Sequence, residues 1–223
     1  MKKANLGSKA LMYPFPIALF GSLVKDKPNY SLVGNVGTMS LGPATLYVSS
    51  HKSHYTNIGV RENKTFSVNF PSTDLVVESD HCGIVTGHKE DKSEVFKTYY
   101  GNIKTAPLIM ECPINISCNV IKEFPIGGME VFIGRINETF VNENLISDGK
   151  RPDAIRIDPI LYSSDLNYYR IGEKIAQAFS IGKEYKKKWK NRGSRISLLK
   201  RKQQKIRIVN GISVNKNLAN TQL

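Results

Sequence analysis

Tyr47-Val48-Ser49-Ser50-His51-Lys52-Ser53-His54-Tyr55-Thr56-Asn57-Ile58-Gly59-Val60-Arg61-Glu62-Asn63-Lys64-Thr65-Phe66-Ser67-Val68-Asn69-Phe70 reads as strand, polar turn, short helix, strand. Ser53 suits a helix N-cap, because a hydroxyl there can accept from an orphan N–H of the first turn. Asn63 suits the other end, since Asn tolerates the left-handed conformation that often follows a helix. A first turn ordinarily favours Asp or Glu, which the helix dipole stabilises. Here Lys52, Ser53, His54 and Thr56 occupy the turn and helix start, and no acid appears before Glu62. Free N–H groups, hydroxyls and a cation without a resident anion make a socket for an external anion, phosphate first among them. A capped surface helix is the plainer alternative.

Upstream, Phe15 to Val24 is a continuous apolar run that reads as a buried strand, closed by a turn at Lys25 to Asn29. Tyr30 to Val36 restart a strand and enter Gly34-Asn35-Val36-Gly37-Thr38-Met39-Ser40, where two glycines let a flat or bulky group approach the backbone, or mark a bulge or barrel corner. Ala44 to Ser49 form the next strand. Downstream, Phe66, Val68 and Phe70 alternate with Thr65, Ser67 and Asn69, the pattern of a half-buried strand. Ser72 caps a short helix containing Leu75, Val76 and Ser79. Lys89 to Tyr100 are polar and read as partly exposed. The alternation Ile114, Ile116, Cys118, Val120 predicts a strand with Cys112 and Cys118 inward, and Pro125-Ile126-Gly127-Gly128 turns it into a hairpin with Met129 to Phe140. Asp153 to Tyr162 predicts a short strand broken at Pro159. From Tyr168, the spacing of Ile171, Ile175, Ala178 and Phe179 predicts a helix stopped by Gly182. Several short strands, three short helices and no βαβ alternation favour a mainly β, antiparallel barrel over a doubly wound sheet.

The 223 residues carry a formal net charge of +13, unevenly spread. Residues 183–223 hold 13 Lys/Arg against Glu184 alone, which leaves 19 against 18 for residues 1–182. The basic balance therefore belongs to a tail, expected to be disordered from residue 186, and the body from 1 to 185 is nearly neutral. Three cysteines without a CxxC argue against a disulfide framework and fit a reducing cytoplasm. Pro14 and Pro16 interrupt the N-terminal apolar run, which reads as a first strand rather than a signal peptide or membrane span. His81 and Cys82 are adjacent, and no histidine set has metal-ligand spacing, so no metal is expected. No acid–base pair, catalytic triad, GxGxxG or P-loop stands out.

The order of Pro14-Phe15-Pro16, Gly34 to Ser40, Ser49 to Ile58 and Thr65 to Asn69 resembles the flavin reductase-like, FMN-binding split-barrel proteins, flavoredoxins above all. Cys82-Gly83-Ile84-Val85-Thr86-Gly87, Ala106-Pro107-Leu108-Ile109, Gly134-Arg135-Ile136 and Tyr168 to Lys183 extend it over about residues 8 to 185. The resemblance implies a six-stranded antiparallel split barrel, homodimeric, with FMN near the subunit interface. Asn35, Val36, Gly37, Thr38, Met39 and Ser40 would lie along the isoalloxazine ring. Ser50, Lys52, Ser53, His54 and Thr56 would hold the phosphate. Tyr168 and Tyr169 would approach the flavin, and Lys183 would reach the site. His51 stands where the family often has Arg, which lowers the charge of the turn. NAD(P)H would be a transient electron donor, with the chemistry supplied by the cofactor. Three readings follow: an FMN-dependent oxidoreductase or electron carrier, a nucleic-acid binder acting through the basic tail, and a barrel that has lost its cofactor and serves as a scaffold.

Overall fold

A computed structural model describes residues 1–146 and 151–185. Met1–Glu173 form one compact unit, and a second begins at Lys174. The run expected as a disordered tail from 186 lies outside the described residues. In chain order the first unit holds β1 (Phe15–Pro16), β2 (Ala18–Val24), β3 (Lys27–Val33), β4 (Val36–Leu41), β5 (Ala44–His51), α1 (Thr56–Asn63), β6 (Thr65–Phe70), α2 (Val76–Ile84), β7 (Thr98–Tyr99), β8 (Leu108–Ile109), β9 (Ile114–Ile126), β10 (Met129–Val141), α3 (Ala154–Ile157), β11 (Leu161–Ser163) and β12 (Asn167–Tyr169).

The main sheet runs β3-β2-β6-β9-β10-β5-β4, antiparallel throughout. Its two edges, β3 and β4, are consecutive in the chain, with only Gly34 and Asn35 between them. Laid flat, the edges of seven strands would stand about 29 Å apart at about 4.8 Å per strand. The link from Val33 to Val36 spans at most about 11 Å. The sheet must therefore curl until its edges meet. β3 and β4 are two halves of one strand bent at Gly34–Asn35, so the seven segments make the expected six-stranded barrel, open along that bend.

The barrel interior is filled by Phe20, Val48, Phe66, Val68, Cys118 and Phe132, with Phe20 set edge-on to Phe66 at 5.3 Å. Each buried aromatic contributes about 2–3 kcal/mol. A second core lies outside β2, where Leu19, Tyr30, Cys82, Phe96, Ile109 and Cys112 pack together. Ala18, Leu19 and Phe20 are all fully buried, which explains why β2 reads as a continuous apolar run. Cys118 belongs to the first core and Cys112 to the second, before β9 begins, so their shared parity does not put them on one face.

Several local readings are corrected. Thr65, Ser67 and Asn69 are as buried as Phe66 and Val68, because the segment around Thr105 to Ile109 covers their face. α1 starts at Thr56 with no side-chain cap, since the Ser53 hydroxyl is bonded to His51 Nδ1 at 2.7 Å. Lys64, with φ 54°, takes the left-handed position, while Asn63 donates to the Leu23 carbonyl at 2.9 Å. α1 lies directly on β2: a Cβ on Gly59 would stand 2.0 Å from that same carbonyl oxygen, so only glycine fits. Asp153 caps α3 where a strand was expected, by accepting from Ile155 N at 2.7 Å. Tyr168 and Tyr169 start no helix. They lie on β12, paired with β11, and Ile175 and Phe179 are 93% and 99% exposed. Helical spacing alone does not hold a helix without a surface that buries its apolar face. The β9–β10 hairpin forms as expected around Gly127–Gly128.

Candidate functional site

Strand pairing gathers the expected segments at one end of the barrel. β4 and β5 pair with Val36 opposite Val48, and Ser49 N donates to Asn35 O at 2.8 Å. The start of β4 thus lies beside the end of β5 and the turn that follows it. β10 adds a third support: Glu130 pairs with Ser50, and Lys52 N donates to the Gly128 carbonyl at 3.0 Å.

Within the turn, polar groups divide into those committed to the fold and those left open. Thr56 is fully buried. Its hydroxyl accepts from Asn29 Nδ2 at 2.6 Å and shares a proton with the Ser31 hydroxyl at 2.7 Å, tying α1 to β3. Asn57 donates to the His51 carbonyl and to Glu130, and Glu130 is held in turn by Arg61 at 2.7 Å. Asn57 Oδ1 is buried and accepts nothing among the described residues. Ser50 is buried, with its hydroxyl 2.9 Å from His54 Nδ1. Burial lowers the pKa of His54, and electrostatic interaction with His51 and Lys92 lowers it further, so the ring is neutral at pH 7. His51, Lys52 and Ser53 face solvent, and α1 carries no acid in its first turn. Lys52 forms no ion pair among the described residues.

Lys92 is the residue sequence reading missed. It lies in a stretch whose polarity reads as exposed, yet it is 2% exposed, donating to the Cys82 and Val85 carbonyls at 3.2 and 3.0 Å. A buried ammonium on the last carbonyls of α2 complements the helix dipole. It also lines a cavity of about 340 Å³ with Asn29, Tyr55, Gly87 and His88, immediately behind the turn. Nothing in the run Lys89-Glu90-Asp91-Lys92-Ser93 marks it out, because its partners are carbonyls at the end of α2.

Among the described residues β4 is an edge strand, paired only with β5, which leaves the other side of its backbone without a strand partner there. Gly37 is needed because the Tyr47 ring lies against it; a Cβ would stand 2.8 Å from Tyr47 Cε1. The bulky group that approaches this glycine is thus the protein's own. Asn35, Thr38 and Met39 are exposed, Ser40 is half-buried, and Met39 sits at a register shift between Thr38 and Ser40. The Val36 side chain points into the barrel core, leaving only its backbone for a ligand.

A second cavity, about 360 Å³, opens at the bend. Gly34 and Asn35 form one side, Phe15, Tyr162 and Tyr168 another, and Gly83, Ile84 and Asp80 of α2 a third. The Tyr168 hydroxyl donates to Asp80 Oδ1 at 2.6 Å. Burial, then that carboxylate, hold the Tyr168 phenol well above its ordinary range, so it remains a donor. Tyr169, next on the strand, faces the other way and bonds to Asp165. Of the two tyrosines, only Tyr168 meets Asn35 in this cavity. Lys183 lies on an exposed 3₁₀ turn, Ile181–Lys183, of the second unit. The described residues contain no cluster of three or more His, Cys, Asp or Glu able to hold a metal.

Against known proteins, residues 10–171 match the model of the flavin reductase like domain. A flavoredoxin from Methanosarcina acetivorans is 37% identical, with a TM-score of 0.80, over 83% of this chain and 100% of that one. The flavoredoxin of Desulfovibrio vulgaris (Miyazaki F) is 33% identical, with a TM-score of 0.75, over 82% and 100%. A protein of Archaeoglobus fulgidus with no assigned activity is 32% identical over 144 residues, 64% of this chain and 80% of its own length.

Proposed function

Because the chain belongs to the flavin reductase-like domain family, we propose that it is an FMN-binding flavoprotein oxidoreductase that passes electrons from NAD(P)H through the flavin to an acceptor. The observation that carries this reading is a juxtaposition. A strand edge without a strand partner among the described residues, Asn35 to Ser40, runs out from a turn that offers Lys52, Ser53 and a helix start without an acid. The residues fit such a group. Backbone groups of β4 and the Thr38 and Ser40 hydroxyls would meet the polar edge of the ring system. Lys52 and Ser53 would face the phosphate, with the Lys92 ammonium behind them, while the Asn57 and Ile58 N–H groups already donate to the His54 and Tyr55 carbonyls. Thr56 would position the helix rather than touch the ligand, since its hydroxyl is already spent. Neutral His54 adds a hydrogen bond and no charge. Bound FMN would accept and return electrons, and the protein would supply orientation and shelter from water.

Exposed Ile121, Phe124 and Ile126 on the projecting part of β9, with Met39 and Leu41 on β4, support a homodimer. Three unpaired, buried cysteines fit a cytoplasmic setting, and no described helix is long and apolar enough to cross a membrane. An electron carrier without NAD(P)H activity of its own uses the same site. The test is the visible spectrum of FMN-loaded protein under anaerobic NADH or NADPH. Bleaching supports the oxidoreductase. A coloured protein that bleaches only with a chemical reductant is a carrier, and a protein that never retains flavin contradicts both.

A further inference from the structure

The open turn takes its shape from the barrel wall behind it. The His51 carbonyl accepts from two donors, His54 N at 2.9 Å and Asn57 Nδ2 at 3.0 Å. The other Nδ2 proton of Asn57 goes to Glu130 Oε2 at 2.7 Å. With both amide protons on acceptors, a flip would set the amide oxygen against a carboxylate and a carbonyl. Asn57 is fully buried, and its Oδ1 is left without a partner among the described residues, so the orientation is held for what Nδ2 reaches. Glu130 stands on β10 opposite Ser50, and Arg61 Nη1 donates to both of its oxygens, at 2.9 and 2.7 Å. A chain of contacts therefore runs from Arg61 through Glu130 and Asn57 to the His51 carbonyl, and ends at the residue before Lys52. Glu130 also brings a negative charge to the first turn of α1, which has no acid of its own. The side chains of Arg61 and Glu130 are 42% and 22% exposed, so water screens them only in part. Left uncancelled, that carboxylate would repel an anion in the turn.

We propose that Glu130 and Asn57 are positioning residues for an anion in the turn, fixing where Lys52 and Ser53 stand, and that Arg61 cancels the Glu130 charge that would otherwise repel that anion. Both roles rest on the FMN phosphate lying at this turn, as proposed above. Neither residue touches the ligand: Glu130 acts through Asn57, and Arg61 acts through Glu130. The two roles differ in kind. Loss of the Glu130 contact is a loss of geometry, which salt does not repair. Loss of Arg61 leaves the contact in place and exposes a charge, which salt does screen.

FMN and riboflavin separate these roles from plain stability, because only FMN carries the phosphate. Their affinities for the full-length protein are measured by quenching of flavin fluorescence, at about 0.1 M and about 1 M NaCl. Glu130→Ala should cut the preference for FMN over riboflavin at least about fivefold at both salt concentrations, with riboflavin affinity within about twofold of wild type. Glu130→Gln keeps an acceptor for Asn57 and should hold the wild-type preference or exceed it. Arg61→Gln should lose about threefold or more of the preference at about 0.1 M, and return to within about twofold of wild type at about 1 M. Equal loss of both flavins in Glu130→Ala makes its role one of stability alone and overturns the proposal, as does an unchanged preference. A loss in Glu130→Gln as large as in Glu130→Ala, or an Arg61→Gln loss that persists at high salt, also counts against it. Where Glu130→Ala fails to fold, the opposite signs expected of Glu130→Gln and Arg61→Gln still decide. Wild-type protein with no preference for FMN contradicts the placing of the phosphate at the turn. A wild-type preference that survives Glu130→Ala contradicts this proposal alone.

Discussion

Two polar regions that look alike in sequence do opposite work. Thr65-Phe66-Ser67-Val68-Asn69 and Ser49-Ser50-His51-Lys52-Ser53-His54 are both rich in small polar residues. In β6 every one of those groups is closed. Ser67 donates to the Pro107 carbonyl, and Asn69 donates to the Leu19 carbonyl at 3.0 Å. Asn69 Oδ1 also accepts from Ile109 N at 3.2 Å and from Asn115 Nδ2 at 2.8 Å. Tyr99 completes the seam by donating to Asn115 at 3.0 Å. In the turn, the inner groups are tied down while His51, Lys52 and Ser53 stay open. A polar group that finds its partners inside the chain fastens the fold, and one left facing water at a helix start is available to a ligand.

The sharpest way to break the comparison is at the closed seam. Asn69→Ala strands the Leu19 carbonyl, the Ile109 N–H and one N–H of the Asn115 amide in a buried space, each costing about 1–3 kcal/mol. Chemical denaturation should show a loss of about 3–5 kcal/mol. A loss under about 1 kcal/mol would mean water reaches the seam. Thr56→Val tests the boundary between the regions, because Thr56 sits in the turn but belongs with the closed groups. It should lose about 2 kcal/mol of stability, as Asn29 and Ser31 lose their shared partner. On the open side, Lys52→Ala with Ser53→Ala should change stability by no more than about 0.5 kcal/mol.

His54 gives the smallest effect, on pH dependence. Its folded pKa lies below the ordinary 6.5, so below that pH the unfolded chain binds the proton more readily than the folded one. Stability should be fully present above 6.5 and fall as pH drops through the folded pKa. The slope should be shallower in His54→Gln, measured by denaturation across that range. An identical slope removes His54 from the account.

Much of the fold is legible because alternation and turn chemistry report burial directly. Val131 to Phe140 and the Gly127–Gly128 turn specify the hairpin, and the apolar run of β2 specifies a strand with a core on each face. What is not legible comes from later parts of the chain. Nothing in Thr65, Ser67 and Asn69 says that residues 105–109 will cover them. Nothing local to Lys92 says that the end of α2 will take its charge. The spacing of Ile171, Ile175 and Phe179 fits a helix, but spacing does not supply the surface a helix needs. Of the site, the turn and the β4 edge can be read from residue types. Ser53 as cap, Thr56 as ligand and Tyr169 in the pocket cannot be told from their alternatives, because each depends on which neighbour claims the group first. The Asp80–Tyr168 pair joins residues 88 positions apart and has no sequence signature.

The most direct test of the central claim is a comparison of FMN with riboflavin, which lacks the phosphate, by quenching of flavin fluorescence. Wild-type protein should bind FMN at least about tenfold more tightly than riboflavin, as expected of a charge-assisted phosphate contact. Lys52→Ala with Ser53→Ala should close that gap through FMN alone, with riboflavin affinity and melting temperature unchanged. Equal affinity for the two flavins in the wild type, or equal loss of both in the double variant, would contradict the assignment of the open turn to a phosphate.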